Sequence, residues 1–155
     1  MKKIIFLLLC FVVTNGFSLG RVGDYLASGG VGITVGPSTF LLSLQLEYVY
    51  RDDLTISGLA QIGISDGVLF TGGGVARWLL GNHNYIKPTI EAGIGIALSS
   101  DILPKSFGVH LLGGIGADYF VSKDMSIGSM LRLNFAPPMK GFFVSWAILN
   151  ARFVL

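Results

Sequence analysis

The feature that most constrains this chain is a regular alternation of apolar and polar residues within short segments. In residues 40–50, "FLLSLQLEYVY", every even position from 42 onward is leucine or tyrosine, whereas positions 43, 45 and 47 are serine, glutamine and glutamate. Successive side chains of a β-strand point to opposite faces of the sheet. The segment is therefore predicted to be a strand with one apolar and one polar face.

A second segment, "YIKPTIEAGIGIAL" (residues 85–98), tests this interpretation because it contains full charges. Lys87 and Glu91 have the i,i+4 spacing of a helical pair, but Pro88 and the two glycines disfavour a helix. All even positions from 86 to 98 are apolar, which is the period of a strand. Both charges are then predicted to lie on the polar face of that strand.

Segments of this kind recur along the chain. The longest uncharged run, residues 25–46, contains Pro37 and several glycines, which makes it a poor membrane helix. Strands are predicted at about residues 24–36, 40–50, 54–64, 69–80, 85–98, 106–120, 125–135 and 142–155. A sheet in lipid has to close on itself, because an open edge would leave backbone groups without partners. The chain is therefore predicted to be all-β, an eight-stranded antiparallel up-and-down transmembrane β-barrel.

The two faces of the predicted strands differ in chemistry. One face is almost entirely aliphatic, and the other carries hydroxyl, amide and charged side chains among many glycines. A soluble barrel would turn the aliphatic face inward, but the polar face is too rich in glycine for a typical solvated exterior. We therefore predict hydrocarbon outside and a structural polar network inside. The residues predicted to form this interior network are Glu47, Arg77, Lys87, Glu91, His110, Asp118 and Arg132.

Aromatic residues gather near the predicted strand ends, as expected of the two interfacial belts of a membrane barrel. One belt is predicted to contain Tyr25, Tyr48, Tyr50, Trp78, Tyr119 and Phe153. The other belt is predicted to contain Phe40, Phe70, Phe107, Phe135 and Phe143. Aromatic residues are also ordinary strand formers, which is the alternative explanation for their number.

The first 18 residues, "MKKIIFLLLCFVVTNGFS", have the organisation of a secretory signal peptide, with two lysines, an apolar core and small residues near the cleavage site. We predict cleavage after Ser18, which leaves residues 19–155 as a barrel domain. The apolar run of about ten residues is shorter than the ~20 that a transmembrane anchor needs. A lipoprotein signal ending at Cys10 would carry a small residue where this chain has Leu9.

Charge and cysteine content argue against several classes of function. The formal net charge is +2 over 155 residues. It falls to about zero once Lys2 and Lys3 leave with the signal, so nothing favours nucleic acid as a partner. Cys10 is the single cysteine of the sequence, and two separated histidines give no metal-ligand spacing. We predict no cofactor, no metal site and no catalytic residue.

Three segments, "GGGVARWLLG", "YIKPTIEAGIGIAL" and "GGIGADYFVSKDMSIGSMLRLNF", resemble the small eight-stranded outer-membrane β-barrel family of Gram-negative bacteria, the outer-membrane protein A and X type. The resemblance implies an outer-membrane location, termini in the periplasm, a monomer, and contact with outer-membrane lipid and lipopolysaccharide. It also implies assembly by the barrel-assembly machinery with periplasmic chaperones. The chain departs from the family in ending with Leu155 rather than phenylalanine.

The last predicted strand leaves one question open. Trp146 and Ile148 share a face with Asn150 and Arg152 unless a β-bulge switches the alternation between them. Without a bulge, apolar and charged side chains would lie on the same side of the wall. The sequence pattern is compatible with both arrangements.

The leading functional hypothesis is a structural, non-enzymatic barrel whose interior acids and bases pair with one another. A narrow pore is the first alternative, since the same charges would set its ion selectivity. A lipid A-modifying enzyme, which the resemblance allows, needs a histidine with a serine and a carboxylate at the outer leaflet. His83 falls in a predicted periplasmic turn, and His110 has no such motif beside it. A soluble periplasmic β-barrel is the remaining alternative, and the short outer loops argue against a cell-surface receptor.

Overall fold

The computed structural model describes residues 19–81, 85–100 and 106–155. Within these ranges the chain forms eight strands: β1 (Tyr25–Val35), β2 (Thr39–Arg51), β3 (Leu54–Ile64), β4 (Val68–Leu79), β5 (Ile86–Ser100), β6 (Phe107–Phe120), β7 (Met125–Ala136) and β8 (Lys140–Val154). Each strand begins and ends within two residues of its predicted position. The predicted signal peptide, residues 1–18, and His83 lie outside the described residues. In the part of the chain that is described, no helix has the length and apolar character needed to cross a membrane.

The strands form a closed antiparallel barrel, in which each strand pairs with the next and β8 pairs with β1. At this closing seam Leu26 lies opposite Val154, and Val35 lies opposite Val144. The predicted eight-stranded, up-and-down topology is confirmed over the described residues. We call the end at which β1 begins and β8 ends the lower end of the barrel, and the opposite one the upper end.

Alternation along each strand separates an outer wall from an interior. On β2, every second side chain from Thr39 to Val49 is buried. The intervening Leu44 and Leu46 are 68% and 55% exposed on the outer wall. The apolar face thus points outward and the polar face points inward, because the strand period of two places neighbours on opposite sides.

A β-bulge in β8 decides the orientation of the polar residues that follow it. Across the seam the register shifts between Val31 and Gly32, because Ile148 is inserted as an extra residue on β8. Trp146 and Ile148 are 43% and 47% exposed on the outer wall, whereas Arg152 is 1% exposed and lies inside. The bulge therefore answers the question that the alternation pattern left open.

Most of the predicted aromatic residues face outward near the ends of the barrel wall. Tyr25 and Tyr48 contact each other at the lower end, with ring centroids 5.3 Å apart. The outward positions near the lower end hold Tyr25, Tyr48, Tyr50, Trp78, Tyr119 and Phe153. Those near the upper end hold Phe40, Phe70, Phe107 and Phe135.

Phe143 does not occupy the belt position predicted for it. Its side chain is 4% exposed and lies inside the barrel, with its ring centroid 6.3 Å from that of His110. Its neighbour Phe142 is 65% exposed and stacks on Phe135, with centroids 4.7 Å apart. Consecutive residues of a strand face opposite sides, so one phenylalanine of the pair has to point inward. The prediction chose the wrong one because the bulge at Ile148 reverses the alternation between Phe143 and Phe153.

Apolar layers close the interior near both ends. The upper apolar layer consists of Leu69, Ala97, Ala136, Met139 and Phe143. The lower apolar layer consists of Leu19, Leu26, Val49 and Phe120, with Leu79 and Val154 packed against it. Leu19 precedes β1, and Met139 lies in the turn between β7 and β8. Segments outside the strands therefore contribute side chains to both layers.

Candidate functional site: the charged interior

Arg77 lies at the centre of the polar interior and is fully buried. Its Nε and Nη2 atoms each donate to Glu91 Oε2 at 3.2 Å. Its Nη1 atom donates to Glu47 Oε1 at 3.3 Å, and Nη2 also donates to Gln45 Oε1 at 2.9 Å. This guanidinium therefore joins carboxylates from β2 and β5.

The ion pairs continue from both of these carboxylates. Arg132 Nε donates to Glu91 Oε1. Arg152 donates to both oxygens of Glu47, at 3.0 Å from Nε and 2.7 Å from Nη2, and its Nη1 donates to Asp118 Oδ2 at 2.9 Å. Among the described residues this makes an alternating series of cations and anions, which we call the ion chain: Arg132, Glu91, Arg77, Glu47, Arg152 and Asp118.

Strand register and a glycine create the space in which these side chains meet. Arg77 and Glu91 are paired residues on β4 and β5, so their side chains lie side by side on the inner face. Glu91 and Arg132 both lie opposite Gly114 of β6. A Cβ atom at Gly114 would come within 2.9 Å of Glu91 Cγ. The absence of a side chain there allows the carboxylate and the guanidinium to meet across β6.

Burial makes the members of the ion chain depend on one another. Each of these side chains is at most 4% exposed. Removing one partner of a buried ion pair costs about 3–5 kcal/mol, because the other charge is left without compensation. Replacing a whole buried pair by apolar residues can be neutral, so the expected effect of the ion chain is on strand register more than on net stability.

The remaining predicted network residues lie near the two ends. Lys87 is 7% exposed towards the lower end, with its Nζ 5.1 Å from the centroid of the Phe120 ring. His110 is 1% exposed towards the upper end, with its Nε2 2.9 Å from Asn134 Oδ1. Asn134 Nδ2 donates in turn to Ser145 Oγ at 2.9 Å. All of the predicted network residues are thus buried inside the barrel, but Lys87 and His110 stand apart from the ion chain.

Arg152 is the member of the ion chain that the sequence analysis did not assign. Simple alternation placed it on the same face as Trp146, because the bulge at Ile148 leaves no direct mark in the sequence. An arginine that faces lipid is unfavourable near mid-bilayer, which is the signal that could have placed Arg152 inside. The signal was weak, since this cost falls towards the ends of a strand and Arg152 lies close to the end of β8.

The histidine and the carboxylates of the described interior are in contact with other polar side chains. Over residues 19–81, 85–100 and 106–155, no group of three or more His, Cys, Asp or Glu side chains could hold a metal ion. The side-chain oxygen at hydrogen-bond distance from His110 belongs to the amide of Asn134 and not to a carboxylate of the kind that orients the histidine of a Ser-His-Asp triad. The carboxylates of the ion chain are bound by arginines. The arrangement is suited to holding strands in register.

Comparison with solved structures finds small outer-membrane β-barrels. Neisserial surface protein A is similar with a TM-score of 0.70 and 16% identity, covering 88% of this chain and 99% of that one. The N-terminal β-barrel domain of Pseudomonas aeruginosa OprF has a TM-score of 0.71 and 13% identity, covering 88% and 100%. The outer membrane enzyme PagL has a TM-score of 0.55 and 20% identity, covering 84% and 99%. No protein-family model and no curated protein matches the sequence.

The resemblance predicted from the sequence is confirmed at the level of the fold. This chain shares its architecture with small eight-stranded outer-membrane barrels over nearly the whole length of each. At such low sequence identity the similarity establishes the fold and does not assign an activity. Function has to be argued from the interior and from the outer wall.

Proposed function

We propose that this chain is an outer-membrane β-barrel with a structural, non-enzymatic role and a lumen that is closed to ions. The observation that carries the proposal is the filled interior, in which the ion chain lies between the upper and lower apolar layers. A barrel of eight strands has an interior about wide enough for side chains to fill. Buried side chains among the described residues lie near the lower end, in the middle and near the upper end of this interior.

The chemistry of the outer wall supports a membrane location. Leu44, Ile94 and Ile115 are 68%, 62% and 64% exposed, and they belong to different strands around the wall. Soluble monomers rarely expose contiguous apolar patches larger than about 300–600 Å². A bilayer would cover this surface, and the outward aromatic residues near both ends would lie at its interfaces.

The proposal includes a location and a set of partners. The chain would be exported through the signal peptide of residues 1–18, delivered by periplasmic chaperones and inserted by the barrel-assembly machinery. The lower end would face the periplasm, and the upper end would face lipopolysaccharide in the outer leaflet. The folded barrel would act as a monomer in contact with outer-membrane lipid.

Two features of the interior argue against the alternative functions. A pore needs a continuous aqueous path, but apolar side chains such as Phe120 and Phe143 are buried in the apolar layers near the two ends of the lumen. An enzyme needs an accessible base, but His110 is 1% exposed and lies 2.9 Å from an amide oxygen of Asn134. The ion chain is the remaining concentration of charge, and its groups are engaged with one another.

The proposal is tested by fractionation, gel migration and electrical recording. We expect the chain in the outer-membrane fraction, a difference in migration between boiled and unboiled samples on a denaturing gel, and no steady conductance in planar bilayers. Extraction by carbonate, or the absence of a heat-dependent shift, would contradict the membrane barrel. Reproducible single-channel steps would replace the closed barrel by a pore.

A further inference from the structure

The lower mouth of the barrel is crossed by a short segment that belongs to none of the strands. This segment, residues 19–24, comes directly before β1 and is here named the strap. Leu19, its first residue, is 6% exposed and packs in the lower apolar layer with Leu26, Val49 and Phe120. The strap therefore inserts an apolar side chain into the mouth from outside the barrel wall.

Backbone hydrogen bonds anchor the strap on two sides of the mouth. On the side of β2, Gly23 N donates to Val49 O at 2.9 Å, and Val49 N donates to Asp24 O at 3.0 Å. On the side of the turn between β6 and β7, Gly20 N donates to Lys123 O at 3.4 Å. The two hydrogen bonds on the β2 side are short and join the same pair of segments, whereas the Gly20 N–Lys123 O bond is longer.

The strap is shaped by a local turn that depends on its glycines. Arg21 N donates to Asp24 Oδ2 at 2.7 Å, and Asp24 N donates to Arg21 O at 2.9 Å. Gly20 and Gly23 have φ values of +71° and +98°, in the region that L-residues rarely adopt. A Cβ atom at Gly23 would meet no atom within 4 Å, so this residue has open space around it. Gly23 therefore has the conformational freedom and the room to act as a hinge.

We propose that the strap is a hinged stopper of the lower mouth, and that releasing Leu19 admits water and small ions to the lower part of the lumen. The proposal rests on the closed lumen proposed above and assigns the lower seal to a particular segment. Leu19 is the part of the lower apolar layer that can leave without breaking a strand pair. Its neighbours Leu26, Val49 and Phe120 stay on the wall, and Lys87 lies just above Phe120. The strap would then set access to the end of the lumen at which the ion chain begins.

The first test measures how fast a charged thiol reagent reaches the lower apolar layer in the folded, micelle-embedded protein. Val49→Cys is introduced into a Cys10→Ser background and labelled with trimethylammonioethyl methanethiosulfonate. Val49 is 2% exposed, so labelling is expected to be slow while the strap is in place. With Leu19→Ser added, we expect labelling to be about tenfold faster, because the buried leucine no longer holds the strap closed.

Matched variants control this measurement. Leu19→Ile keeps the apolar volume and is expected to preserve slow labelling. Asp66→Cys, in the exposed turn between β3 and β4, should be labelled rapidly whether or not Leu19 is changed. Leu59→Cys, inside the barrel and 4% exposed, should stay slow in both backgrounds, because the ion chain still separates it from the lower mouth.

A second readout needs no cysteine. Hydrogen exchange at the Gly20 amide, which donates to Lys123 O on the far side of the mouth, should accelerate in Leu19→Ser and remain unchanged in Leu19→Ile. The Gly23 and Val49 amides, which attach the strap on the hinge side, should keep their protection in both variants. Unchanged labelling and unchanged exchange in a Leu19→Ser protein that keeps its heat-dependent gel shift would overturn the stopper. Steady conductance of the unaltered chain would instead overturn the closed barrel, so the two failures are distinguishable.

Discussion

Charged residues inside the barrel and at the ends of its strands have very different environments. Arg77 is fully buried and donates to Glu47 and Glu91 inside the barrel. Arg51 is the last residue of β2 and pairs with Asp53 at 3.2 Å, with both side chains more than half exposed. Water can solvate Arg51 when its partner is lost, but it cannot reach the carboxylates around Arg77. The same change at these arginines should therefore have unequal effects.

Arg77→Met removes the charge and keeps much of the side-chain length. We expect the folded barrel to lose about 3–5 kcal/mol of stability, because the buried carboxylates of Glu47 and Glu91 each lose a donor. Arg51→Met should change the stability by less than about 1 kcal/mol. Urea-dependent folding into lipid vesicles measures both, and equal losses would mean that Arg77 is not part of a buried network.

Ile94 tests the assignment of the outer wall. It is 62% exposed midway along β5, and Ile94→Lys would place a charge in the hydrocarbon. We expect the free energy of folding into lipid vesicles to become less favourable by about 2–4 kcal/mol, which is the cost of a lysine or arginine side chain at the middle of a bilayer. Ile94→Leu keeps an aliphatic side chain and should fold like the unaltered protein. If Ile94→Lys assembles equally well, the wall does not face lipid.

At the scale of elements, the pairing of β4 with β5 depends on a pair of inward-facing glycines. Gly73 and Gly95 are opposite each other in the register. A Cβ atom at Gly73 would collide with the carbonyl oxygen of Ile94, and one at Gly95 would collide with that of Gly72. The obstacle is backbone of the neighbouring strand, which cannot move aside without breaking the pairing. Glycine at these positions allows the sheet to curve tightly enough to close.

Gly73→Ala should therefore impair folding far more than Gly74→Ala. We expect Gly73→Ala to lower the free energy of unfolding by about 1–3 kcal/mol, which is the usual cost of overpacking, because the backbone has to shift. Gly74 faces outward with no atom within 4 Å of a Cβ position, so Gly74→Ala should be neutral or slightly stabilising. The fraction folded at increasing urea compares the two, and similar curves would refute the close approach of β4 and β5.

At the scale of the whole molecule, contacts between residues that are distant in sequence hold the barrel closed. Arg152 of β8 donates to Glu47 of β2, 105 residues earlier, and so spans the seam formed by β1 and β8. Arg152 also donates to Asp118 of β6. Side chains thus tie the last strand to both sides of the interior, while the apolar layers fill both ends. These contacts fix the position of the last strand relative to β2 and β6.

The non-enzymatic role proposed above predicts that the chain leaves membrane lipids chemically unchanged. We expect the lipid A of cells that express the chain to have the same mass spectrum as that of cells without it. His110→Asn should give this spectrum too, since His110 is buried beside Phe143. A gain or loss of acyl chains that disappears in His110→Asn would contradict the non-enzymatic proposal.

The strands and the chemistry of their two faces could be predicted from the amino-acid sequence. Alternation is a local property, because each residue of a strand points away from the side of its neighbour. It was enough to place Glu47, Arg77 and Glu91 inside and Ile94 outside. It also predicted every strand to within two residues of its ends.

The tertiary structure decided what depends on register between strands that are far apart in the chain. The bulge at Ile148 reverses the alternation along β8, so that Arg152 lies inside and Phe143 rather than Phe142 also points inward. The order of partners in the ion chain, and the position of Leu19 in the lower mouth, follow from closure of the barrel. Closure brings together side chains from distant strands, and the alternation within any one strand contains no information about which of them will meet.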